Sequence, residues 1–286
     1  MDKFLEGKNI AISISESEEL NQLGFSDTHI KDAMIEFTRH LLIQGATLVY
    51  GGDLRSGGFT EIFSDLAEQY RLSSVLPFKN YFSFPIHLTI SKADEISFKA
   101  KKVEIKRVAP DETLGIDETK FVKPDSPENK YIWAKCLTKM RHQMNDEIDA
   151  RIVIGGRNYG YKGKYPGIVE EAQIAIESKK PVFLVGVFGG ATRNMIQAIT
   201  EKKEVIEGST PFYVSDDYEK FKVHYNNTST NDKIDIEELN QFFKSLHISD
   251  LNNGLDKTEN QRLFITPHIP EVIYLVLKGL KNIAAQ

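Results

Sequence analysis

The chain has 286 residues, a formal charge of −5, 41% hydrophobic and 27% charged residues, and one cysteine. That length suffices for a sizeable core, while the acidic balance disfavours nucleic-acid coating, which needs an extended basic surface. No stretch nears the roughly 20 apolar residues of a membrane span, and the short apolar run after Lys8 lacks a cleavage site, so a cytoplasmic protein is expected.

Lys8 to Ser15 is a β-prone run ending in serines and reads as a buried first strand that opens into a loop. Ser26 and Asp27 can cap a helix whose Ile30, Met34, Phe37 and Leu41 recur at helical spacing and whose end is marked by Gly45. A second strand at Ala46 to Tyr50 delivers the chain into a glycine-rich turn, followed by a helix from Phe59 to Tyr70. Prolines 77, 85, 110, 124 and 127 then interrupt the pattern, so an irregular insertion is expected near 77–127, with β-prone stretches at Phe84 to Ile90 and Glu95 to Val108.

One long helix is expected from Glu128 to Ala150, then a strand at Arg151 to Ile154 and a helix from Gly167 to Ser178. A strand at Pro181 to Val185 and a helix through Met195 to Thr200 follow. Beyond that, Asp235 to Leu246 and Pro270 to Ile283 have helical spacing, whereas Asn226 to Asp232 and Asp250 to Asn260 read as polar loops. Strands alternating with helices predict an α/β fold, a Rossmann-like three-layer sandwich with a mainly parallel sheet. Residues 1–215 are expected to form a nucleotide-binding domain, with 216–286 a helical extension packed on it.

Two glycine-rich turns lie where strands give way to helices. In the first, Gly51, Gly52, Gly57 and Gly58 let backbone N–H groups approach an anion at a helix N-terminus, and Asp53 and Arg55 add polar contacts. The turn matches neither a Walker A motif nor the usual dinucleotide fingerprint. The second runs from Gly155 and Gly156 to Gly167 and carries Arg157, Lys162 and Lys164 for phosphate and tyrosines, Tyr161 among them, for stacking on a base. Ser13 and Ser15 are placed to hydrogen-bond the same ligand. Cys136 sits in a helical pattern as a packing residue. Neither the seven histidines nor the single cysteine has metal-ligand spacing, so no metal and no resident cofactor are expected.

The run Met140-Arg141, Met144, Asp149-Ala150, Gly155-Gly156 and Gly167 to Glu171 resembles the LOG phosphoribohydrolases, with their arginine helix followed by PGGxGTxxE. Over roughly Lys8 to Thr200 the chain resembles the wider SLOG superfamily, a Rossmann-like group that also includes DprA-like proteins. By that resemblance Arg141 and Glu171 match positions that are catalytic in LOG enzymes, which implies an N-glycosidase acting on nucleoside monophosphates. Here ten residues separate Gly156 from Gly167, Ile154 replaces the proline and Ile168 the threonine.

The longer YGYKGxYPGxxEEA form, with GGDLRxGG, looks more like the branch accompanying sirtuin-like and TIR domains, including the sensor domain of Thoeris effectors. That resemblance implies binding of an NAD-derived signal, ADP-ribose-like or cyclic ADP-ribose, in antiphage defence. Partners it implies are a nucleotide, further copies of the chain as dimer or tetramer, and a separate effector. Sensing is the leading expectation, with Glu171 then a ligand contact, and hydrolysis the alternative.

Overall fold

The first strand shows how the layers are assigned. In β1 (Asn9–Ser15) isoleucines 10, 12 and 14 point to one face of the sheet, and Ala11 and Ser13 point to the other. The isoleucines meet Ile30, Met34, Phe37 and Leu41 of α1 (Asp27–Ile43), the apolar stripe of the first crossover helix. The same crossover repeats through β2 (Thr47–Gly51), α2 (Phe59–Gln69) and β3 (Phe78–Ser83), then α3 (Lys92–Ala100) and β4 (Val103–Val108). A long helix, α4 (Pro127–Glu147), crosses to the other face and leads into β5 (Ala150–Gly155), α5 (Gly167–Glu177) and β6 (Val182–Val185). The computed structural model describes residues 3–52, 54–70, 76–208 and 215–285.

All six strands are parallel, in the order β4-β3-β2-β1-β5-β6. One face carries α1, α2 and α3; the other carries α4, whose Met140 and Met144 pack on Ala11 and Val49, and α5, whose Ala172 and Ala175 pack with Val153 and Leu184. The α/β three-layer expectation therefore holds. No helix among the described residues is long and apolar enough to cross a membrane.

Between residues 78 and 108 the structure is more regular than expected, while 109–126 has only a short 3-10 turn. One strand precedes Phe84, and of the Glu95 to Val108 stretch the first part is helix and only Val103 to Val108 is strand, so β3, α3 and β4 make a regular β-α-β unit inside the sheet. Lys79 and Asn80 break the apolar run of β3 and mask its alternation. The overlooked signal for α3 is a capping box: Ser91 Oγ accepts from Asp94 N at 3.1 Å, and Asp94 Oδ2 accepts from Ser91 N at 2.8 Å.

After α6 (Gly190–Glu201), the C-terminal region contains α7 (Asp216–Thr228), α8 (Ile236–Ser245), α9 (Lys257–Ile265) and α10 (Ile269–Ala284). Two expected loops are thus partly helical: α7 extends through Asn226, and α9 begins within the Asp250 to Asn260 stretch behind a second capping box, Asp256 with Glu259. Leu263, Val272, Val276 and Leu280 of the last two helices share one core with Ile12 and Phe183.

Gly279 lets α10 approach Asn253 and Phe183 closely. A Cβ there would lie 2.4 Å from Asn253 O and 2.6 Å from Phe183 Cε1. Gly279→Ala is expected to lower unfolding free energy by about 1–3 kcal/mol through overpacking, measured by urea denaturation.

Candidate functional site

The chain runs from β1 outward through β2, β3 and β4, then returns to the other side of β1 with β5 and β6. Open parallel sheets bind ligands where the strand order reverses, outside the carboxyl ends of the strands. Here that place is bounded by Ser15, Gly51 and Gly155, the last residues of β1, β2 and β5. Gly155 and Gly156 are both at positive φ, +64° and +104°, and a Cβ on Gly155 would come within 2.5 Å of Ser15 O. Glycine is what lets β5 turn out this close to β1. Gly156 N donates to Ser15 O (2.9 Å) and Ala191 N donates to Gly156 O (3.0 Å), which ties the turn between β1 and α6.

Beneath this turn lies a buried charge cluster. Ser13 Oγ donates to Glu171 Oε2 at 2.5 Å, and Arg151 Nη1 donates both to Ser13 Oγ at 2.7 Å and to Glu171 Oε2 at 2.8 Å. Arg141 Nη1 and Thr138 Oγ1 both donate to Glu170, and Arg141 Nε lies 3.7 Å from Glu171 Oε1. Relative exposure is 0% for Arg151, 1% for Glu170 and 6% for Arg141, while the Glu171 side chain keeps 12%, so the two guanidiniums and two carboxylates neutralise one another largely out of water. Burial lowers the pKa of Arg151 from its ordinary value, the Glu171 carboxylate opposes this, and Arg141 adds to the lowering. Gly163 and Gly167 pass directly over Arg141: a Cβ on either would stand 2.9 Å from a guanidinium nitrogen.

Of the expected ligand contacts, Ser13 is buried and used on Glu171, and Gly51 faces the cluster, its Cβ position 3.7 Å from Glu171 Oε1. The amides of the other three glycines of the first turn are already engaged. Gly52 N donates to Tyr81 O, Gly58 N to Arg55 O, and Gly57 N to Glu61 Oε2 at 2.6 Å. Asp53 lies outside the described residues. Arg55 is exposed and lines a cavity of about 280 Å³ with Asp94, Phe98 and Lys101, between α2 and α3.

The second turn disperses its cations. Arg157 stays at the rim, its N–H 3.3 Å from Ser15 Oγ and its guanidinium 3.3 Å from Glu16. Lys162 Nζ sits 4.5 Å over the Trp133 ring, Lys164 Nζ binds Asp232 at 2.7 Å, and Tyr161 packs on the core beneath α5. Lys162 therefore lies against α4 and Lys164 against the loop after α7, while Arg55 lies on the opposite face of the sheet, so the structure does not bring the two turns' cations into one crevice. Acidic side chains from the segment after β1 hold the rim amides. Asn158 N donates to both oxygens of Glu18 (3.1 and 3.2 Å), and Gly190 N, at the start of α6, donates to Glu19 at 2.5 Å. These glutamates, with Tyr159 and Asn194, line a cavity of about 270 Å³.

Arg151 is the residue that sequence reasoning passed over, and which of Glu170 and Glu171 faces the cleft could not be read from it. The available signal was a cation inside an otherwise apolar strand, ARIVIG, since strands of a sheet covered on both faces are apolar. Cys136 is fully buried in α4 and burial pushes its thiol up to about 11, so it packs rather than reacts.

A family model described as SLOG cluster2 matches residues 4–263. No match to a curated protein was found.

Removing one member of a buried pair strands the other charge. Glu170→Ala is expected to destabilise the protein by about 3–5 kcal/mol in chemical denaturation. Arg157→Ala, which breaks an exposed pair with Glu16, should change stability by under about 1 kcal/mol.

Proposed function

The chain belongs to the SLOG family, which carries a nucleotide-related function in general, and from that premise we propose that it binds an NAD-derived nucleotide across the carboxyl ends of β1, β2 and β5 and acts as a sensor. The observation that carries this reading is the arrangement of Glu171. Its Oε2 is occupied by Ser13 and Arg151, and its Oε1 is turned toward the Gly51 turn at the point where strand order reverses. A carboxylate oxygen so placed accepts the hydroxyl of a ribose.

Phosphates belong at the rim. Backbone amides of Asn158 and Gly190 already hold carboxylates there, which supports affinity of these N–H groups for an anionic oxygen, and Arg157 is the second-turn cation on that side. ADP-ribose and cyclic ADP-ribose combine both elements. Cytoplasmic antiphage defence is the proposed setting, with ligand binding altering self-association and an effector partner; the support is the likeness of the two glycine turns to the Thoeris-associated branch.

Hydrolysis is the second reading, with Arg141 and Glu171 as its catalytic pair. Two features favour sensing over it. Arg141 is committed to buried Glu170, and Glu171, which takes two hydrogen bonds on Oε2, is arranged as an acceptor rather than a proton donor.

Isothermal titration against NAD, ADP-ribose, cyclic ADP-ribose isomers and AMP is expected to give saturable heat with at least one of them; silence with all four removes the reading. Arg157→Ala should weaken that binding by about tenfold or more, the value of a charge-assisted phosphate contact. Chromatography after incubation with AMP or NAD should return the ligand intact. Free base released by the wild type and lost in Glu171→Ala would establish the enzyme instead.

A further inference from the structure

β5 carries a charge that its fold does not require. Its neighbours Ile152, Val153 and Ile154 are buried and apolar, as strands covered on both faces are, yet Arg151 is buried completely among them. Taking a guanidinium out of water is expensive, and a buried ion pair is seldom more stabilising than the apolar side chains that can replace it. Nε and Nη2 of Arg151 have no hydrogen-bond partner among the described residues, so the arginine is also poorly satisfied as a structural element. Its reason is to be found in what it touches.

Nη1 carries two hydrogens and uses both, one on Ser13 Oγ and one on Glu171 Oε2. Ser13 accepts from Arg151 and passes its own hydrogen to the same Oε2, so three side chains close a ring of hydrogen bonds on one carboxylate oxygen. Oε1 receives no hydrogen bond among the described residues, and its ion-pair neighbour is Arg141 Nε at 3.7 Å. Arg141 is itself held by Glu170, which Thr138 also binds, so it is not at liberty to swing onto Oε1. Oε1 faces the Gly51 turn, 3.7 Å from where a Cβ on Gly51 would stand, with the Met140 methyl 3.1 Å from the same point, and the Glu171 side chain stays 12% exposed.

We propose that Arg151 is a positioning residue which, with Ser13, occupies Oε2 of Glu171 and so aims Oε1 at the Gly51 turn as the acceptor for a ligand hydroxyl. The ligand half of this rests on the nucleotide reading above; the geometric half does not. An anionic oxygen lacking a donor selects O–H or N–H groups and repels phosphate, so the sugar edge of a nucleotide lies here and its phosphates lie toward Arg157.

The test is a double-mutant cycle with AMP and ADP-ribose as probes, read by titration calorimetry, together with crystal structures of the variants. Arg151→Met is expected to weaken binding about tenfold in the wild-type background and by less than about twofold in a Glu171→Gln background, with Arg151→Lys recovering part of the loss. The 2′- or 3′-deoxy analogue of AMP should bind more weakly than AMP to the wild type and equally to Glu171→Gln. Ser13→Ala keeps the buried charge and replaces Arg151→Met if that variant does not fold; its smaller loss should also disappear beside Glu171→Gln. Equal losses in both backgrounds overturn the proposal, as does failure of lysine to recover any. A wild type that binds none of these nucleotides ends the nucleotide reading, and the crystallographic arm still decides the positioning. Glu171 turned away from its wild-type orientation in Arg151→Met, or in Ser13→Ala, supports it, and an unmoved Glu171 in the variant overturns it.

Discussion

Two guanidiniums and two carboxylates share one largely buried volume beneath the second glycine turn, and the architecture of the site follows from the need to keep that volume neutral. Glu170 and Glu171 are consecutive on α5 and so diverge by about 100° around its axis, which lets one carboxylate meet an arginine from α4 and the next meet an arginine from β5. The first turn of α5 is thereby locked between the covering helix and the sheet. The strictness of this pairing explains why the turn above it is rich in glycine: at positions 163 and 167 any side chain would stand against the Arg141 guanidinium.

A second layer of electrostatics surrounds the first. Glu18 and Glu19 rest on amides of the second turn and of the α6 N-terminus, and Glu16 pairs with Arg157. Backbone amides at such termini carry partial positive charge and draw whichever anion is nearest. A phosphate arriving at this rim exchanges with a carboxylate that is already bound. On the proposed reading its net gain is therefore the difference between two anions rather than the full value of a vacant site.

Much of the framework was legible because it is written in local patterns. The alternation in β1, the stripe of α1 and the glycines at 155 and 156 are short-range features, and each appears where periodicity puts it. The stretch from 77 to 127 was less legible because Lys79 and Asn80 interrupt β3, while α3 announces itself only through the Ser91 and Asp94 cap. At the site, the pairing of a helix arginine with a carboxylate near Gly167 could be anticipated. That Arg141 would take Glu170 rather than Glu171, and that Arg151 would enter at all, could not.

From residue order alone came the parallel α/β architecture and the turns at the strand ends, since each depends on neighbours a few positions apart. Tertiary structure settled which charges meet. Ser13 and Glu171 are 158 positions apart in the chain, and only the register of β1 beside β5, with α5 laid across them, brings them within hydrogen-bond distance. It also decided that Lys162 and Lys164 turn to Trp133 and Asp232 while Arg55 stays on the opposite face, because a long flexible cation goes to the partner that the packed surface presents, and that surface exists only once the helices have docked.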